Sequence, residues 1–84
     1  MAHETRQAGA ETSIATVAML GLAIRNARKD QGLTQADISG LAHTGNRFVV
    51  DLENGKPTIQ MQKALDVLGL LGLELFVRKK GAAQ

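Results

Sequence analysis

Asn46 and Arg47 set two planar, multi-donor side chains side by side, with Val50 and Asp51 one helical turn further on. A guanidinium can donate two parallel hydrogen bonds to guanine O6 and N7, and a carboxamide can serve adenine N6 and N7 in the same way. Each good pair of this kind discriminates against a wrong base by about 1–3 kcal/mol. Asn46, Arg47, Val50 and Asp51 are therefore the candidate base-reading set. Asp51 has two readings: an acceptor from cytosine N4, or a partner that orients Arg47 four residues away. The cost of a carboxylate close to phosphates favours the second. Around this set stand Thr34, Gln35, Thr44, Asn54 and Lys56. Their hydroxyl, amide, ammonium and backbone N–H groups suit phosphate oxygens, contacts that position a protein on a duplex without reading its sequence. The plainer alternative for Asn46 and Arg47 is solvated surface, and for Lys29 and Lys63 it stands on equal terms.

These side chains need rigid carriers, and the stretch over residues 33–55, LTQADISGLAHTGNRFVVDLENG, supplies them. Thr34 N-caps a short helix running from residue 35 to about 42. A break at His43-Thr44-Gly45 leads into a second helix from about 46 to 53, which the helix-ending pair Asn54-Gly55 stops. Two short helices joined by a three- or four-residue turn form a unit whose second helix can enter the major groove of DNA. The first of the pair turns Ile38, Leu41 and Ala42 inward. The second buries Val49 and Leu52, with Phe48 at the border.

A supporting helix precedes the pair. Thr16 is its N-cap, Val17, Leu20, Ala23, Ile24, Ala27 and Gln31 follow helical spacing, Arg25, Arg28 and Lys29 suit its negative end, and Gly32 caps it. After Lys56-Pro57, Thr58 is expected to cap a further helix from 59 to about 71. Its apolar residues Ile59, Met61, Ala64, Leu65, Val67, Leu68, Leu70 and Leu71 exceed one core stripe and ask for a second partner. From 73 to 80, LELFVRKK alternates with period two, the pattern of a strand. The chain holds no comparable second strand, so antiparallel pairing between two copies is expected, with a frayed apolar tail as the plainer alternative. The pairing assigns Leu70, Leu71, Leu73, Leu75, Phe76 and Val77 to a dimer interface. Residues 1–12 read as a disordered tail in which His3 has no ligand role, 13–72 as the binding domain, and 81–84 as a loose end.

Size and composition set the outer limits. Eighty-four residues make one small domain, for which dimerisation is a source of stability. With two aromatic residues, Phe48 and Phe76, the core is aliphatic, the palette of a helical bundle. The absence of cysteine excludes disulfides and thiolate metal sites. No signal peptide or membrane span is legible, which points to the cytoplasm, near the nucleoid. A net charge of +2 does not by itself signal nucleic acid. Arg25, Arg28, Lys29, Arg47, Lys56 and Lys63 fit either one basic face or scattered solvated charge. No Ser-His-Asp, paired-carboxylate or metal constellation occurs, so an enzyme is not expected, nor any cofactor.

LTQADISGLA followed by RFVVDLENGKPT resembles the lambda-repressor or Cro class, the XRE-type helix-turn-helix. The run from about 20 to 73 is similar to HipB-type antitoxins, DNA-binding partners of HipA-type serine/threonine kinases. The resemblance implies an all-α, lambda-repressor-like bundle of four or five helices, a homodimer, a palindromic operator, repression of its own operon and neutralisation of a kinase toxin. It also implies that Arg28 pairs with Glu53 as a structural ion pair, which removes Arg28 from the DNA contacts. The chain departs from the class at His43 and Thr44, where Gly-Val is usual. Histidine tolerates the left-handed backbone better than a β-branched residue, and a strained turn explains His43 better than a pH switch. A stand-alone repressor of the phage or plasmid type, with no toxin, and a pure protein-interaction module are the competing readings.

Overall fold

A computed structural model describes residues 11–81. The expected tail over 1–12 and the loose end over 81–84 therefore lie almost wholly outside the described residues. Among these, the chain forms four helices: α1 (Val17–Asp30), α2 (Gln35–Ala42), α3 (Asn46–Glu53) and α4 (Met61–Leu70).

The helix boundaries follow local chemistry. Thr16 caps α1 by accepting from the Met19 N–H at 3.1 Å. Thr34 caps α2 in a reciprocal box. Its hydroxyl accepts from Asp37 N–H at 3.0 Å, and the Asp37 carboxylate accepts from Thr34 N–H at 2.8 Å. For α4 the expected cap at Thr58 is corrected. Ile59 N–H closes a turn onto the Lys56 carbonyl, and Ile59 packs against the core, so the helix starts two residues later with Gln60 as its cap. Its last helical residue is Leu70, one short of expectation.

All four helices end in one motif. A residue with positive φ follows the last turn: Gly32 (71°), His43 (56°), Gly55 (76°) and Gly72 (76°). The next N–H reaches back to the carbonyl five residues earlier, as in Leu33→Arg28, Thr44→Ser39, Lys56→Asp51 and Leu73→Leu68. His43 thus occupies the place that glycine takes at the other three ends.

The core is Leu20, Ile24, Ile38, Val49, Leu52, Ala64, Val67, Leu68 and Leu71, with Phe48, Ile59 and Leu73 half-buried at its edge. Helix α3 lies against α1 and α2, and α2 against α4. At the α1–α3 crossing a Cβ on Gly21 would run into the Leu52 carbonyl oxygen and sit 2.7 Å from that of Glu53, so only glycine allows this approach. Two expectations change. Leu41 is 57% exposed, because α2 turns Ile38 and Ala42, four residues apart, toward the core instead. Leu71 sits in the chain's own core at 4% exposure, which removes it from any surface open to a partner. Gln31 secures that end of α4 by donating to the Leu71 carbonyl at 2.8 Å.

The expected strand over 73–80 is absent: residues 73–79 form neither helix nor strand. A ladder needs a second strand, and the single chain has none among the described residues. Leu73 leans on the core, whereas Leu75, Phe76 and the 99% exposed Val77 face solvent. Arg78 pairs with Glu11 at 3.2 Å and lies over the Phe76 ring at 5.8 Å.

Candidate nucleic-acid interface

The turn between α2 and α3 is held from both sides. His43 adopts φ 56° and ψ 45°, the left-handed conformation expected of it. The Ser39 hydroxyl donates to the Thr44 carbonyl at 2.6 Å, fixing the direction in which the chain leaves α2. The chain then enters α3 at Gly45, which caps with no side chain. Asn46 and Arg47 therefore open α3 with free approach from outside, and both are exposed. Val50 is half-buried beneath them.

The reverse face of the pair is clamped by an ion pair. Arg28 donates from Nε to Glu53 Oε2 at 2.6 Å and from Nη2 to Oε1 at 3.0 Å, while Nη1 reaches the Leu33 carbonyl at 2.8 Å. Gln35 adds a third bond to the carboxylate, from Nε2 to Oε1 at 3.1 Å. One buried carboxylate at the end of α3 thus ties together α1, the loop after it and the first turn of α2. Burial raises the Glu53 pKa; the hydrogen bonds from Arg28 and Gln35 and the charges of Arg28 and Arg25 outweigh it, so the net shift is downward. The same pair raises the Arg28 pKa.

On the outer face Asp51 links two cations. Its Oδ1 lies 3.3 Å from Arg47 Nε and its Oδ2 lies 3.5 Å from Lys56 Nζ. The contact to Arg47 has the i, i+4 spacing read from the sequence; the link to Lys56 was not read there. Its signal was available, because the helix-ending motif sets Lys56 five residues after Asp51 and bonds their backbones at 3.0 Å.

The candidate phosphate contacts separate. Asn54 and Lys56 are exposed beside the end of α3. Thr34 is exposed, but its hydroxyl serves the α2 cap. The Gln35 amide is committed to Glu53. The Thr44 hydroxyl is turned inward, with no hydrogen-bond partner among the described residues. Lys63 lies over the Phe48 ring at 5.7 Å. Asp37 closes the capping box, a role the sequence signals through its Thr-x-x-acid spacing. Among the described residues no group of side chains could hold a metal ion, and no helix is long and apolar enough to cross a membrane.

Comparison with known proteins agrees with this geometry. The helix-turn-helix family profile matches residues 24–77. A relative from Sinorhizobium fredii, described as the uncharacterized HTH-type transcriptional regulator y4mF, is 46% identical over 68 residues, covering 81% of this chain and 90% of its own length. Among solved structures, a HipB–O4 20mer complex superposes with a TM-score of 0.77 at 17% identity, covering 83% of this chain and 99% of that one. A HipA–HipB–O2–O3 complex superposes equally well, with a TM-score of 0.77 at 17% identity, over 83% of this chain and 99% of its counterpart. At such identity the structures speak for the fold alone. The family profile, the 46% identical relative and the fold agree: this chain belongs to the helix-turn-helix family of transcriptional regulators.

Proposed function

We propose that the protein is a sequence-specific DNA-binding repressor that acts as a homodimer on a palindromic operator. One observation carries the reading. Asn46 and Arg47 stand exposed at the start of a helix whose far end is clamped by the Arg28–Glu53 pair, so base-reading donors ride on a rigid carrier. Lys56, paired with Asp51, and Asn54 flank that helix and are exposed where phosphates would lie. Arg47→Ala tests the reading by fluorescence anisotropy on a duplex that the wild type has selected from a randomised pool. The expected result is a loss of about 1–3 kcal/mol in binding, with relaxed preference at one base pair per half-site. Unchanged affinity for every sequence would remove α3 from the groove.

The homodimer rests on what the single chain leaves uncovered. Leu70, Leu75, Phe76 and Val77 are exposed, with Leu73 half-buried beside them, and the segment over 73–79 lacks the partner its alternating pattern asks for. Half-sites one helical turn apart, about 34–36 Å, are the matching operator geometry. The further role is antitoxin of a HipA-like kinase and repressor of its own operon. Its support is the sequence resemblance to HipB-type proteins and the shared fold. Stand-alone repression is the second reading, since the 46% identical relative is described as a transcriptional regulator. Co-expression with any kinase-like protein encoded beside the gene separates the two: a stable complex that blocks phosphorylation supports the antitoxin role, and free kinase activity refutes it.

A further inference from the structure

An anionic side chain on the face offered to a polyanion needs a reason. Asp51 supplies no fold-holding contact comparable to that of Glu53. Its two ion pairs lie at 3.3 and 3.5 Å, and their cations are largely in solvent, with the Arg47 side chain 85% exposed. Pairs of this kind add little to stability. What they do is local. The contact to Arg47 falls on Nε, so the N–H groups of Nη1 and Nη2 are the ones left for a planar acceptor pair. Lys56 has its charge partly neutralised by the same carboxylate.

We propose that Asp51 is the specificity-setting residue of the interface, bracing Arg47 for guanine and weakening the sequence-independent grip of Arg47 and Lys56 on phosphates. The inference rests on the reading of α3 as the base-contacting helix. On a wrong sequence Arg47 finds no bidentate acceptor, and the complex depends on phosphate contacts, which the carboxylate opposes. On the right sequence the braced guanidinium loses little freedom in forming two bonds. Asp51 therefore lowers affinity for all DNA, and lowers it more for the wrong DNA.

The test compares wild type with Asp51→Asn on two probes, a duplex selected by the wild type from a randomised pool and poly(dA-dT), which offers no guanine-type O6/N7 pair, across a salt series. Removing the charge should tighten binding to poly(dA-dT) about three- to tenfold near 0.1 M salt. It should also steepen the slope of log affinity against log salt by about 0.9 per subunit. Discrimination against a substitution at the guanine that Arg47 reads should fall about tenfold. A variant that binds both probes more weakly, or with unchanged slope and unchanged discrimination, overturns the inference while leaving the reading of α3 intact. A wild type that selects no sequence at all overturns both. Lys56→Gln supplies the second arm: in that background the gain from Asp51→Asn should shrink by about half, and an undiminished gain overturns the part assigned to Lys56. Circular dichroism should show the same helix content in every variant.

Discussion

At the scale of single residues, Glu53 carries the greatest structural load. Its carboxylate accepts from Arg28 twice and from Gln35 once while buried at 8% exposure. A buried pair adds little net stability over a well-packed apolar pair, but removing one member strands the other charge. Glu53→Ala should therefore cost about 3–5 kcal/mol in urea unfolding, close to the whole stability of a domain this small. The double variant Arg28→Met/Glu53→Met should lose less than the two single replacements summed. The same carboxylate sets an acid limit. Glu53 lies below its ordinary 4.5, and Asp37 lies below 3.8 through bonds from the Thr34 N–H and hydroxyl. Both groups thus take up protons more readily in the unfolded chain than in the folded one. Their contribution is whole above about pH 4.5 and is lost as pH falls through the lowered folded values. The melting midpoint should stay level from pH 7 to 5 and drop below 4.5, and the less stable Glu53→Gln variant should show a shallower drop.

At the scale of elements, the four helix ends explain why so much of the fold was legible in the sequence. Gly32, Gly55 and Gly72 mark three of them, and Thr16 and Thr34 mark two starts, because caps are decided by neighbours within a few residues. What depended on distant parts of the chain was not legible. The amide of Gln35 looked free for a phosphate until α3 brought Glu53 to it, 18 residues away in sequence. Nothing within a few residues of Gly21 marks it as a contact; the α1–α3 crossing is what brings the backbone of α3 against it. Leu41 and Leu71 changed places between core and surface because helical spacing leaves about one residue of uncertainty in which stripe faces in. His43 is the one end where the expected glycine is replaced. A left-handed backbone costs an L-residue about 1–2 kcal/mol, while glycine returns part of any gain as greater freedom in the unfolded chain. No contact of the His43 side chain with the core opposes the change, since the residue is exposed. His43→Gly should accordingly raise stability by up to about 1 kcal/mol in chemical denaturation, with affinity for DNA unchanged.

At the scale of the whole molecule, two groups of exposed apolar residues, apart from Met19, Leu22 and Met61, compete as a seam between copies. One is the outer side of α4 with the end of α2, where Leu41, Leu65, Gly69 and Leu70 line a shallow groove. The other is the segment carrying Leu75, Phe76 and Val77. Either could form the seam of the proposed dimer, and one truncation distinguishes them. Ending the chain after Glu74 keeps Leu73 on the core and leaves every helix and cap in place, so circular dichroism should show unchanged helix content. If the segment is the seam, light scattering should report a monomer. Affinity for a duplex with two half-sites should then fall by about 10²–10⁴, the advantage that linking two binding events confers. A truncated chain that stays dimeric places the seam on α4 instead, and Leu70→Asp should then dissociate it. The alternating Leu73, Leu75 and Val77 favour the first outcome, because a segment of that pattern gains a ladder only by pairing with a second strand, and the described residues hold none.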